Sequence, residues 1–167
     1  MIALQITSMK QFMNRLLAAD TFHAFLLEGA SITTANTVTI DGHLNKAFFS
    51  EQELESGQVP DYEYTPWQDM KGLCFQLIKG KNTPLAFKFV LHLKPEHAKE
   101  LLQKGNCSVD ASLLKALVLT IRYDGTKAVL TTGCAYQTFV MSKEAEQIWD
   151  NAIQKYLSEN GVSFELL

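Results

Sequence analysis

The chain has 167 residues, 47% of them hydrophobic and 20% charged, with a formal net charge of -3. This composition excludes a disordered chain, which needs few apolar residues and many charges, and suits one packed domain, 1–167. The negative balance argues against nucleic-acid binding through overall basicity, and no apolar run is long enough to span a bilayer.

Met1-Ile2-Ala3-Leu4-Gln5 has no basic region ahead of an apolar run, so a cytoplasmic protein without a membrane partner is expected. Cys74, Cys107 and Cys134 are too few and too widely spaced for a disulfide framework or a C-x-x-C metal site, and read as reduced thiols. Met1 to Thr7 reads as a strand. Ser8 and Gln11 form a capping box ahead of a helix whose Met9, Phe12, Met13, Leu16 and Leu17 make one apolar stripe. Phe22–Thr34 and Asn36–Asp41 read as strands, and His43–Phe49 as another after the Asp41-Gly42 turn. Residues 50–64, rich in acids and carrying Gly57 and Pro60, read as a loop with a short strand at Tyr62–Tyr64.

Thr65-Pro66-Trp67-Gln68 predicts a helix with Thr65 as N-cap and Pro66 in the first position; Trp67, Met70, Leu73, Cys74, Leu77 and Ile78 form its apolar face and Gly80 its stop. A strand over 84–93 follows, then a short helix over 95–104 closed by Gly105. Leu117–Tyr123 and Lys127–Thr132 form a hairpin across Asp124-Gly125, and Ala135–Val140 reads as a further strand. Ser142 caps a last helix with Ala145, Ile148, Trp149, Ala152, Ile153, Tyr156 and Leu157 on one face, ending at Asn160-Gly161.

The fold class expected is therefore α+β: an antiparallel sheet with amphipathic helices packed on one face. Strand, threonine, helix and strand occur twice, from Ile6-Thr7 to Phe22 and from Tyr64-Thr65 to Pro84; Met9, Phe12 and Leu16 shift onto Trp67, Met70 and Cys74, but Met13 onto Lys71, so the correspondence is partial. Two such β-α-β-β-β halves resemble one domain of the sliding DNA clamps in architecture, without a clamp sequence motif. Over nearly its whole length the chain also resembles an uncharacterised family of small bacterial proteins, a domain of unknown function. That resemblance is carried by Ala30-Ser31-Ile32-Thr33-Thr34, Thr39-Ile40-Asp41-Gly42-His43 and Leu77 to Leu85, and implies no activity.

Charge is unevenly placed. Residues 41–70 hold seven acids against Lys46, whereas residues 71–105 hold seven lysines against Glu96 and Glu100. Lys10, Arg15, Lys71 and Lys79 on outer helix positions, with Lys81 in the following turn, form a candidate phosphate-neutralising surface if the helices lie side by side; solvated lysines are the bland alternative. Gly80-Lys81-Asn82-Thr83 does not make a phosphate loop, because Phe75 stands where a second glycine is needed and the order is helix to strand. His92 and His97 are expected at the surface, with too few neighbouring ligands for a metal. An Asp41–His43 contact could tune a base, and Cys134 could be a nucleophile, but a turn and a buried thiol explain them as well.

No residue is assigned as catalytic, and no metal or cofactor is expected. The leading expectation is a non-catalytic binding or assembly module. A clamp-like DNA accessory protein and a small enzyme using His43 or Cys134 are the alternatives; nucleic acid, a protein or a second copy of the chain are the partners left open.

Overall fold

The computed structural model describes residues 1–167. Its elements in chain order are β1 (Ala3–Ile6), α1 (Met9–Leu17), β2 (Phe25–Thr33), β3 (Thr37–Asp41), α2 (Glu51–Glu55), β4 (Thr65–Pro66), α3 (Trp67–Ile78), β5 (Ala86–Leu93), α4 (Pro95–Lys104), β6 (Leu114–Tyr123), β7 (Ala128–Tyr136), α5 (Glu144–Glu159) and β8 (Phe164–Leu166). The eight strands form one sheet in the order β3-β2-β5-β6-β7-β1-β8, with β4 also paired to β2, and every pairing is antiparallel.

Alternation along the strands creates two unlike faces. Phe87, Phe89 and Leu91 of β5, Leu117, Leu119 and Ile121 of β6, and Leu4 and Leu130 point to one side, where they join Phe12, Leu16, Trp67, Cys74, Ile78, Trp149, Ile153 and Leu157 in one core. The apolar stripes of α1, α3 and α5 therefore lie over the same face of the sheet, and α1 touches α3. Trp67 and Trp149 belong to this core, as their helical spacing indicates. The opposite face carries Ser31, Thr33, Lys88, Thr120, Arg122 and Thr131, none of them buried. The α+β class and the antiparallel sheet under helices follow as expected.

Several local expectations are corrected. Ser8 precedes α1 but its side chain makes no capping hydrogen bond. Residues 43–49 do not form a strand: only His43 bridges, to Tyr64, and Lys46–Phe48 is one turn of 3-10 helix. The place beside Leu26 and Leu27 is occupied by Pro66 and Thr65, so the chain after β3 has no strand left to pair with. The first of the two envisaged halves thus lacks its last strand.

Within 50–64 a short helix appears. Ser50 and Glu53 form a true capping box, each side chain satisfying the other's backbone N–H. Thr65 and Pro66 pair with β2, so α3 starts one residue later than expected, with Pro66 at the N-cap. Ala135 belongs to β7, which runs unbroken to Tyr136 opposite Leu114, where β6 begins; no separate strand covers 135–140.

Candidate functional site

An irregularity in β2 builds the candidate site. Leu27 pairs with Leu91 and Gly29 with Val90, leaving Glu28 as the extra residue of a β-bulge. The bulge turns the Glu28 carboxylate onto His92, whose Nε2 lies 2.5 Å from Oε2. A carboxylate only accepts, so Nε2 carries a hydrogen, and in the neutral ring the lone pair is on Nδ1. His92 is 8% exposed, which corrects its placement at the surface. Leu26 and Val118 flank it in the same row of the sheet, and Tyr64 covers it.

Directly after β3 the chain forms a narrow neck. The Gly42 N–H donates to the Glu28 carbonyl at 2.9 Å, Thr65 N–H to the Gly42 carbonyl at 2.8 Å, and Leu44 N–H to the Glu63 carbonyl at 2.9 Å. The neck places His43 beside Tyr64. His43 Nδ1–H donates to Asp41 Oδ1 at 2.7 Å, and its Nε2 lies 3.8 Å from Glu63 Oε1. The Asp41–His43 contact considered from sequence is present.

Tyr64 stands between the two imidazoles, with its ring centre 4.6 Å from that of His43 and 4.9 Å from that of His92. Burial first, and then the Glu63, Glu28 and Asp41 carboxylates, push its phenol above the usual tyrosine range, so it remains protonated at neutral pH. The backbone N–H and then the ring N–H of His43 hold Asp41 below the usual carboxylate range. The result is a file of carboxylate, imidazole, phenol, imidazole and carboxylate across one end of the sheet.

Beside this file lies a cavity of about 260 Å³. Tyr64, Glu63 and His92 form its polar wall, Leu26, Ala98, Leu102 and Ala116 its apolar walls, and Lys99 and Lys115 also line it. The base of the neck is tied to α4 because the Tyr62 hydroxyl donates to Glu96 and the Lys94 ammonium lies 5.8 Å from the Tyr62 ring centre. A cavity with apolar walls, a few convergent polar groups and a displaced phenol has the character of a ligand site.

The candidate cationic residues are dispersed. Lys10 and Lys81 line a common depression of about 300 Å³ with Asn82, Thr83 and Tyr123. Lys71 turns inward: Nζ donates to the Ala19 carbonyl at 2.8 Å and lies 2.7 Å from His23 Nε2, placing a cation at the carbonyl end of α1. Burial, then the Lys71 ammonium, hold His23 below the usual imidazole range, so its Nε2 can accept. Lys79 lies over the Phe75 ring at 5.8 Å, and Arg15 faces the Gly161 turn.

Burial pushes the Cys134 thiol up to about 11, so at neutral pH it lacks the thiolate that a nucleophile requires. Cys74 is likewise pushed up to about 11 by burial. Alkylation of the native protein by iodoacetamide at neutral pH is expected to leave both unmodified, and denaturant to expose them. Rapid native labelling of Cys134, mapped by peptide mass, would contradict this.

Sequence reasoning missed Glu28, Glu63 and Tyr64. One signal for Glu28 was available: an acid followed by glycine inside the apolar strand Phe25–Thr33 marks a bulge. Nothing local pairs it with His92, 64 residues away. No group of histidine, cysteine and carboxylate side chains has metal-binding geometry, and no helix is long and apolar enough to cross a membrane. A model of a family of unknown function (DUF5721) matches residues 15–165. No curated protein and no solved structure matches the chain.

Proposed function

Because the chain belongs to DUF5721, a family of unknown function, we propose from its geometry that it is a binding module for a small, partly apolar molecule held in the cavity between α4 and the neck. The observation that carries this reading is the convergence of Tyr64, Glu63 and His92 on a mostly apolar cavity of about 260 Å³ that Lys99 and Lys115 also line. Apolar surface supplies affinity there, and the few polar groups orient the ligand. The size suits a metabolite below the drug-sized range, which starts at roughly 300 Å³.

Ala98 and Ala116 line the cavity, Ala98 also packing on the core, whereas Ala30 and Ala128 lie in the core away from the cavity. With alanine methyls labelled, a mixture of pyruvate, benzoate, imidazole and butylamine is expected to shift Ala98 and Ala116 and leave Ala30 and Ala128 in place. Ala98→Trp, which fills the cavity, should abolish the Ala116 shift while the Ala30 and Ala128 signals keep their native positions. Absence of any shift, or shifts elsewhere only, would rule out this site.

A second reading, a clamp-like DNA accessory protein, is favoured by one observation: Lys10 and Lys81 share a depression, on helices and a turn lying side by side. It predicts DNA binding that weakens steeply with salt and is lost in Lys10→Glu/Lys81→Glu, together with an oligomer by light scattering. A monomer that leaves duplex DNA unbound at low salt eliminates it.

A further inference from the structure

The geometry points to proton transfer in this cavity: we propose that His92 takes the proton next to the carbonyl of a short α-keto acid while Tyr64 donates to the carbonyl oxygen. The inference rests on the ligand-site reading above and adds a chemistry to it. Three features carry it. The first is orientation, because Glu28 holds Nε2 of His92 at 2.5 Å, which in the neutral ring leaves the lone pair on Nδ1 of a residue that lines the cavity. A general base needs a lone pair within reach of the proton it takes, and a hydrogen bond to the other ring nitrogen orients it.

The second is the adjacent donor. Tyr64 lines the same cavity as His92, with ring centres 4.9 Å apart, and its buried phenol keeps its proton. The third is the lining: two exposed cations, Lys99 and Lys115, outnumber the single carboxylate, Glu63, beside apolar walls at Leu26, Ala98 and Ala116. Cations suit a carboxylate and the walls a short alkyl chain, leaving the carbonyl and its neighbouring carbon for Tyr64 and His92.

The step balances without an oxidant. The carbon–hydrogen bond breaks and its proton goes to His92 Nδ1. The electron pair forms a carbon–carbon double bond, the carbonyl pair moves to oxygen, and oxygen takes the Tyr64 proton. Reversal returns a proton from His92, which exchanges with solvent, to carbon, and the enol proton to Tyr64. In heavy water the substrate therefore gains deuterium at that carbon. Glu28 is a positioning residue, since it acts through His92.

The test incubates the full chain with pyruvate in heavy water and follows methyl deuteration by NMR, while the Ala98 and Ala116 methyl shifts report binding. Wild type is expected to exchange the methyl protons well above the buffer rate. His92→Gln should lower that exchange about 100-fold or more, the usual worth of a general base, and by far more than it weakens pyruvate binding. Tyr64→Phe, which retains the ring, should lower exchange at least about tenfold and keeps the test decisive if His92→Gln does not fold. Pyruvate bound without exchange, or exchange indifferent to both substitutions, overturns proton transfer but leaves a binding module. Failure of pyruvate to bind while another probe does overturns the substrate class; failure of every probe overturns both readings.

Discussion

Gly42→Ala is expected to destabilise the protein by about 3 kcal/mol or more and to dismantle the site on the sheet end together with it. A methyl group at residue 42 would stand 1.8 Å from the Leu27 carbonyl oxygen and 2.7 Å from its carbonyl carbon. Both obstacles are backbone, so no side chain can swing aside. The backbone that would have to move is the bulge carrying Glu28, whose carbonyl accepts the Gly42 N–H. Displacing it separates Glu28 from His92 and loosens the His43–Tyr64 bridge. Gly133→Ala is the control, because a methyl there meets nothing within 4 Å; its stability should change by less than about 1 kcal/mol. Urea denaturation of both variants, with histidine ring signals recorded by NMR, decides the matter. Native stability in Gly42→Ala, with unshifted His43 and His92 resonances, would refute the close-approach argument.

Trp67→Ala is expected to cost about 3–5 kcal/mol, against a total stability of about 5–15 kcal/mol for a domain of this kind. Trp67 is 0% exposed and packs edge-on against Phe89 at 5.2 Å. Its indole N–H donates to the Leu16 carbonyl at 2.9 Å. The residue thus joins three things at once: the first turn of α3, the carbonyl end of α1, and the sheet beneath both. Trp67→Phe retains much of the apolar contact but leaves the Leu16 carbonyl without its donor, for about 1–3 kcal/mol. A shift of the urea midpoint for Trp67→Ala no larger than that for Trp67→Phe would mean that packing on Phe89 contributes little.

These two positions differ in how far a linear reading reaches them. Trp67 falls on a 3.6-residue apolar stripe, so its inward placement is readable from its own helix. Gly42 follows Asp41 and reads as an ordinary turn; that it lies against the Leu27–Glu28 peptide depends on a neck closed by Thr65. Lys71 shows the same limit in the opposite sense. Its helix position reads as outward, yet the ammonium turns to the Ala19 carbonyl because α1 ends beside it. Likewise, residues 43–49 have the composition of a strand, but the edge they would pair with is taken by Thr65 and Pro66.

By itself the sequence determined what local repetition encodes: the α+β class, the apolar faces of α1, α3 and α5, the Asp124-Gly125 hairpin and the adjacency of Asp41 to His43. Hydrophobic period and turn chemistry act within a few residues, and these features need nothing more. Only the tertiary structure decided that Glu28, Tyr64 and His92 meet, that a cavity opens beside them under α4, and that the lysines do not form one continuous patch. Such contacts join residues from separate strands through register, a bulge and burial, and no spacing along the chain specifies them.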